Sequence, residues 1–205
     1  MMGPAFAGIT VPLLFLYKNC IVSNPYPFEN FNYQFSGAMT LHDLNTLPVP
    51  QLKEELLKCC GSPAWVNKML PFFPAEDLVE LLEDAEEEWF KCSPEDWKEA
   101  FAHHPKIGDK ESLKKKFAST AHWASAEQSG VNKASSETIG ALAKANEEYE
   151  KKFGYIFIVC ATGKSAEEML GMLTTRLKND PEEEIELAAD EQNKITKLRL
   201  EKLLE

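Results

Sequence analysis

His104 stands immediately before a proline in the run His104-Pro105-Lys106-Ile107-Gly108, and proline disfavours the α conformation in the residue that precedes it. The imidazole is therefore expected at a helix end or in a turn, with Gly108 supporting the turn, and not on a helix face. Imidazole as a group titrates near neutrality, which suits a ring aimed into a cleft to general acid/base proton transfer. The same placement also suits a capping or packing histidine, so position alone makes His104 a candidate. A second informative segment is Trp123-Ala124-Ser125-Ala126-Glu127-Gln128-Ser129, where Glu127 and Gln128 follow an aromatic anchor amid small residues that leave room for a ligand. Taken alone, Glu127 is one of many solvated carboxylates.

The four histidines (His42, His103, His104 and His122) raise the question of a metal. No H-x-x-x-H or H-E-x-x-H spacing occurs and the adjacent His103 and His104 point in divergent directions, so no metal site is expected. A metal-dependent hydrolase built on His104, His122 and Glu127 stays open as an alternative that elemental analysis of purified protein decides. The five cysteines (Cys20, Cys59, Cys60, Cys92 and Cys160) are an odd number without C-x-x-C spacing. They read as reduced, mostly buried thiols.

The chain that must position these residues has 205 residues, of which 44% are hydrophobic and 27% charged, the composition of a folded protein with room for one good-sized domain. Its net charge is -11, and because Lys18 and Glu29 cancel within the first 38 residues, all the excess lies in the main body. So acidic a surface repels phosphate backbones and anionic lipid, which argues against nucleic-acid and membrane partners. An anionic small substrate would need locally placed cations.

Residues 1–38 differ from the rest. The apolar run Ile9 to Tyr17 is too short to span a bilayer and has no basic region before it, and Asn24 to Gly37 is rich in Pro, Asn and aromatics without helical or strand period. The segment is expected to be a loosely attached extension outside the core, with a membrane-attached leader as the rival reading, and the domain is expected over 39–205. From Met39 the text is helical. Leu52, Leu56 and Leu57 recur at helical spacing before Gly61, and Ser62-Pro63 signals a new N-terminus. Leu78, Leu81, Leu82, Ala85 and Trp89 form an apolar stripe opposite an acidic face running from Glu80 to Glu88. Ser93-Pro94-Glu95-Asp96 starts a helix that carries Trp97, Ala100 and Phe101 inward and stops at His103-His104-Pro105. Ile139, Leu142, Ala145, Tyr149 and Phe153 keep the rhythm up to Gly154, and the continuously apolar run Tyr155 to Cys160 then reads as extended and buried, too isolated to build a sheet. Ser165 with Glu168 is a capping box, and Asp180-Pro181 opens a last helix with Ile185, Ala188, Gln192, Ile195, Arg199 and Lys202 at successive positions. The expected fold is all-α, a single compact domain of about eight helices with one short extended segment.

Taken in order, His104-Pro105-Lys106-Ile107-Gly108, Ser125-Ala126-Glu127-Gln128-Ser129, Asn146-Glu147-Glu148-Tyr149, Lys152-Phe153-Gly154-Tyr155-Ile156-Phe157 and Ile195-Thr196-Lys197-Leu198-Arg199-Leu200 resemble the motifs of the ureidoimidazoline decarboxylase family of purine catabolism. The resemblance covers about residues 40 to 205, and it is the ordered set that is specific. It implies a lyase of urate degradation that needs no cofactor and converts 2-oxo-4-hydroxy-4-carboxy-5-ureidoimidazoline (OHCU) to (S)-allantoin, after uricase and hydroxyisourate hydrolase have acted.

Carried over by position, the resemblance implies that His104 and Glu127 are catalytic, His104 as proton donor and Glu127 orienting the substrate. It implies substrate contacts from Pro105, Gln128 and Arg199, and from the backbone of Phe157, Ile158, Val159, Cys160 and Ala161. Three positions depart from the common pattern. The His104 to Gly108 motif is a shorter variant, Ile156 stands where many members have proline, and Ala124 occupies a frequent serine position with Ser125 one step later, which makes Ser125 the candidate replacement. Members are commonly dimers, so a homodimer is expected, and cytoplasm is the expected location because no leader is recognisable and Leu203-Leu204-Glu205 is not a peroxisomal signal. The alternative from another class is a helical protein-interaction module that works through the Glu80 to Glu88 face and the apolar N-terminal segment.

Overall fold

A computed structural model of the protein describes residues 39–104 and 136–204. The N-terminal segment 1–38 and the positions Pro105, Ser125, Glu127 and Gln128 lie outside the described residues. Among the described residues there are eight α-helices and no strand, as the periodicity predicts.

Each helix begins where the local chemistry dictates. Helix α1 (Leu41–Thr46) follows Thr40, whose hydroxyl accepts from the Asp43 amide while the Asp43 carboxylate accepts from the Thr40 amide at 2.9 Å. Helix α2 (Val49–Cys60) ends at Gly61, whose φ of 87° is a left-handed conformation that a glycine adopts without a Cβ penalty. Ser62 then caps α3 (Pro63–Met69), with Pro63 at the first position, and a single 3-10 turn covers Leu70–Phe72. Asp77 caps α4 (Leu78–Phe90), and Ser93 with Asp96 forms the reciprocal cap of α5 (Pro94–Ala102). Helix α6 (Ser136–Phe153) stops at Gly154 with φ 82°. From Tyr155 to Ala161 the chain is buried and in neither helix nor strand, and a Ser165–Glu168 box opens α7 (Ala166–Arg176). Asp180 occupies the N-cap position of α8 (Pro181–Leu203) in an extended conformation, but its side chain makes no capping bond.

Helix α8 lies at the centre. It packs against α2, α4 and α5, while α3 joins α2 to α4 and α5, and α6 pairs with α7. Two indoles stitch the layers by donating to backbone carbonyls, Trp89 Nε1 to Ala189 O and Trp65 Nε1 to Ala85 O, both at 2.9 Å. Their rings fill the largest core positions together with Tyr149 and Phe101, none of them more than 1% exposed. Lys152 Nζ closes the α6–α7 pair by donating to Leu177 O and Asn179 O.

Two expectations need adjusting. Leu57 stands at the margin of the α2 stripe, half-exposed, because it sits about a quarter-turn round from Leu56. Glu88 is buried at 7% exposure and paired with Lys91 at 2.7 Å, so the acidic face of α4 stops short of it. Among the described residues no helix is long and apolar enough to cross a membrane.

The turn at Gly61 joins fold to site. A Cβ placed there would lie 2.9 Å from the Cβ of His103, the residue at the end of α5. Gly61→Ala is therefore expected to cost about 1–3 kcal/mol, from the left-handed φ together with the clash, read as a fall in the urea midpoint.

Candidate functional site

His104 follows the last turn of α5, with its amide donating to Phe101 O at 3.0 Å. Its ring reaches α8, where His104 Nε2 lies 2.6 Å from Gln192 Oε1. Gln192 is fully buried, and its Nε2 donates to Thr196 Oγ1 at 3.1 Å and to Cys60 O at 3.4 Å. Seven residues further along the same face, Arg199 Nη1 donates to Cys59 O at 3.4 Å. Arg199 is 8% exposed, so it does not extend from the last helix into solvent. The C-terminal end of α2 thus supplies two carbonyls to α8, and the end of α5 supplies the imidazole. His103, its neighbour, is exposed.

The buried segment from Tyr155 to Ala161 is tied to helices on several sides. Asn146 Oδ1 accepts from the Phe157 amide at 3.0 Å, and Glu191 Oε2 accepts from the Cys160 amide at 2.7 Å. Arg176 Nη1 donates to Ile158 O at 2.9 Å and Lys164 Nζ to Cys160 O at 2.6 Å. Among the described residues the amides of Ile158, Val159 and Ala161 make no hydrogen bond. Two adjacent donors and a third two residues on are therefore unspent on one short buried strip.

Behind the strip sits a charged cluster. The Glu184 carboxylate, with no exposed surface, accepts from Arg176 Nε at 2.7 Å, from the Tyr149 hydroxyl and from Asn179 Nδ2 at 2.8 Å. The Arg176 guanidinium lies over the Phe157 ring at 4.8 Å. Burial, reinforced by the hydrogen bond to Glu184, drives the Tyr149 phenol far above its ordinary range and keeps it a donor. Sequence reasoning assigned no role to Gln192, Glu191, Asn146, Arg176 or Glu184. The signal that could have singled out Gln192 was present, since it shares the inward stripe of α8 with Ala188 and Ile195.

Among the described residues no group of histidine, cysteine and carboxylate side chains could hold a metal. Cys59, Cys60, Cys92 and Cys160 are free and buried. Glu127, Gln128, Ser125 and Pro105 lie outside the described residues, so their distances to His104 are not part of this geometry.

Arg176 and Glu184 are mutually dependent, because removing one leaves the other charged and buried. Arg176→Met is expected to cost about 3–5 kcal/mol in urea denaturation and to release the Ile158 carbonyl. Burial also pushes the Cys59 and Cys60 thiols from 9.0 up to about 12. The folded state therefore holds these protons more tightly than the unfolded chain. The resulting stability is complete below pH 9.0 and is lost as pH rises towards about 12. The urea midpoint should fall between about pH 8.5 and 10.5, less steeply in Cys59→Ala/Cys60→Ala.

The OHCU decarboxylase family model matches residues 45–201. The uric acid degradation bifunctional protein TTL of Arabidopsis thaliana is 38% identical over 154 residues, 74% of this chain and 47% of that protein. A 2-oxo-4-hydroxy-4-carboxy-5-ureidoimidazoline decarboxylase of Amia calva is 32% identical over 78 residues, 38% of this chain and 45% of that one. The chain thus spans about half the length of the curated relatives it matches. Among solved structures, an OHCU decarboxylase determined in the presence of (S)-allantoin superposes with a TM-score of 0.62 at 36% identity, covering 74% of this chain and 97% of that one. An (S)-allantoin synthase at 18% identity, TM-score 0.60, covering 81% of this chain and 54% of that one, shares the fold. With the family model spanning most of its length and the helical core superposing on a solved member, the chain belongs to the OHCU decarboxylase family.

Proposed function

We propose that this protein decarboxylates OHCU to (S)-allantoin in urate degradation, with His104 delivering the proton that sets the configuration. The observation that carries the reading is His104 held on the buried stripe of α8 that also bears Arg199, in a chain of this family. The carbon–carbon bond to the carboxylate breaks, carbon dioxide leaves, and the bonding pair passes into the carbonyl/imine system of the ring. A proton then forms the new carbon–hydrogen bond on one face. One proton is taken up for each carbon dioxide released, and His104 is recharged from solvent.

The other residues bind and orient. Glu127 accepts hydrogen bonds from ureido or ring N–H groups, Gln128 meets the substrate amide, Ser125 serves in place of the family serine, and Pro105 packs against the substrate after the histidine. Within the strip from Phe157 to Ala161, the amides of Ile158, Val159 and Ala161 are the donors left for carbonyl oxygens, since those of Phe157 and Cys160 already bond Asn146 and Glu191. Arg199 pairs with the anionic part of the substrate, answering the need for a local cation on an acidic protein. The protein works as a cytoplasmic homodimer over residues 39–205, taking up the product of uricase and hydroxyisourate hydrolase, with 1–38 as an extension outside the core.

The test supplies urate, uricase and hydroxyisourate hydrolase and follows allantoin by circular dichroism. The protein should accelerate formation of the S enantiomer over spontaneous racemic decay. His104→Ala should keep the fold and lose about two to four orders of magnitude in turnover, as should Glu127→Ala, whereas His103→Ala keeps most activity. Wild-type rates in His104→Ala, or racemic product from the wild-type protein, would overturn the assignment.

A further inference from the structure

The hydrogen bond between His104 and Gln192 has a direction, and the direction follows from what else Gln192 touches. Its amide nitrogen faces Cys60 O, an atom that can only accept, and Thr196 Oγ1, which can take a bond from it. Turning the amide over would set its oxygen against Cys60 O and cost both of its donor bonds, at the full penalty of burial because Gln192 has no exposed surface. Gln192 Oε1 therefore faces the imidazole, and an amide oxygen can only accept. A separation of 2.6 Å then requires a proton on His104 Nε2.

We infer that Gln192 is a positioning residue that locks a proton on His104 Nε2, so that Nδ1 is the nitrogen that gains and loses the proton in turnover. The bond that one ring nitrogen makes decides the state of the other. With Nε2 committed, neutral His104 exists as a single tautomer, and the charged ring gives up its Nδ1 proton without reorganising. Neither of the chain turns that hold Gln192 in place needs to move, because Cys60 O closes α2 and Thr196 lies one turn along α8. The assignment of Nδ1 to turnover rests on the decarboxylase reading, whereas the locked tautomer is a property of the protein without substrate.

The two parts are tested separately. Imidazole 15N–1H correlation spectra of the full-length labelled protein, above the pKa of the ring and with His104 assigned by the loss of its signals in His104→Ala, should show a protonated, exchange-protected Nε2 and an unprotonated Nδ1. Gln192→Met, close in size but without an acceptor, should lose that protection. It should lower kcat about 10–100-fold while KM changes less than about two-fold. A protonated Nδ1 on the neutral ring of the wild-type protein overturns the lock, and this result does not depend on the variant folding. An unchanged protected Nε2 proton and unchanged kcat in Gln192→Met do the same. A protein with the predicted spectrum and no decarboxylation would leave the lock standing and remove only its catalytic consequence.

Discussion

Most of the polar side chains buried on helix α8 are satisfied, Asn193 Oδ1 being the exception among the described residues, and satisfying them shapes the surroundings of the candidate site. Glu184, Glu191, Gln192, Thr196 and Arg199 are each less than 9% exposed, and a buried donor or acceptor left without a partner costs about 1–3 kcal/mol. Gln192 and Thr196 partner each other within the helix, and the other partners come mostly from elsewhere in the chain. Glu184 draws in α6 and α7 through Tyr149 and Arg176, Glu191 takes the amide of Cys160, and Gln192 and Arg199 take the last carbonyls of α2. One helix thereby sets the relative positions of the buried strip, the end of α2 and the imidazole at the end of α5.

This arrangement explains why a helical protein keeps a stretch of irregular backbone in its interior. Helices spend their amides internally, and a strip outside helix and sheet has amides to offer. The side chains of Asn146 and Glu191 satisfy two of them, and Arg176 and Lys164 satisfy carbonyls, which holds the strip still without pairing it into a sheet. Rigid backing of this kind is what a small polar substrate needs from the groups that orient it.

The helices were legible in the sequence because their signals are local. Ser62, Ser93 with Asp96 and Ser165 with Glu168 each cap the helix their pattern announces, and Gly61 and Gly154 stop the helices that precede them. Asp180 carries the same signal at the same position and makes no side-chain cap, so the pattern locates a helix start without fixing its bonds. His104 was legible because proline constrains the residue before it. Gln192 was legible only as an inward position, since its place on the stripe with Ala188 and Ile195 marks it as buried without naming the group it holds. Its role depends on Cys60, far away in the chain. The same holds for Arg176 and Glu184, whose partnership with Tyr149 is assembled only by the packing of α6, α7 and α8.

His104, Arg199 and the Ile158 to Ala161 strip are proposed to surround one small molecule. The most direct measurement is a crystal structure of this protein with (S)-allantoin. The prediction is a ligand whose stereogenic carbon faces the His104 ring, with at least one carbonyl oxygen bonded to an amide of Ile158, Val159 or Ala161 and with Arg199 in contact. A ligand bound elsewhere, touching neither His104 nor the strip, would contradict it.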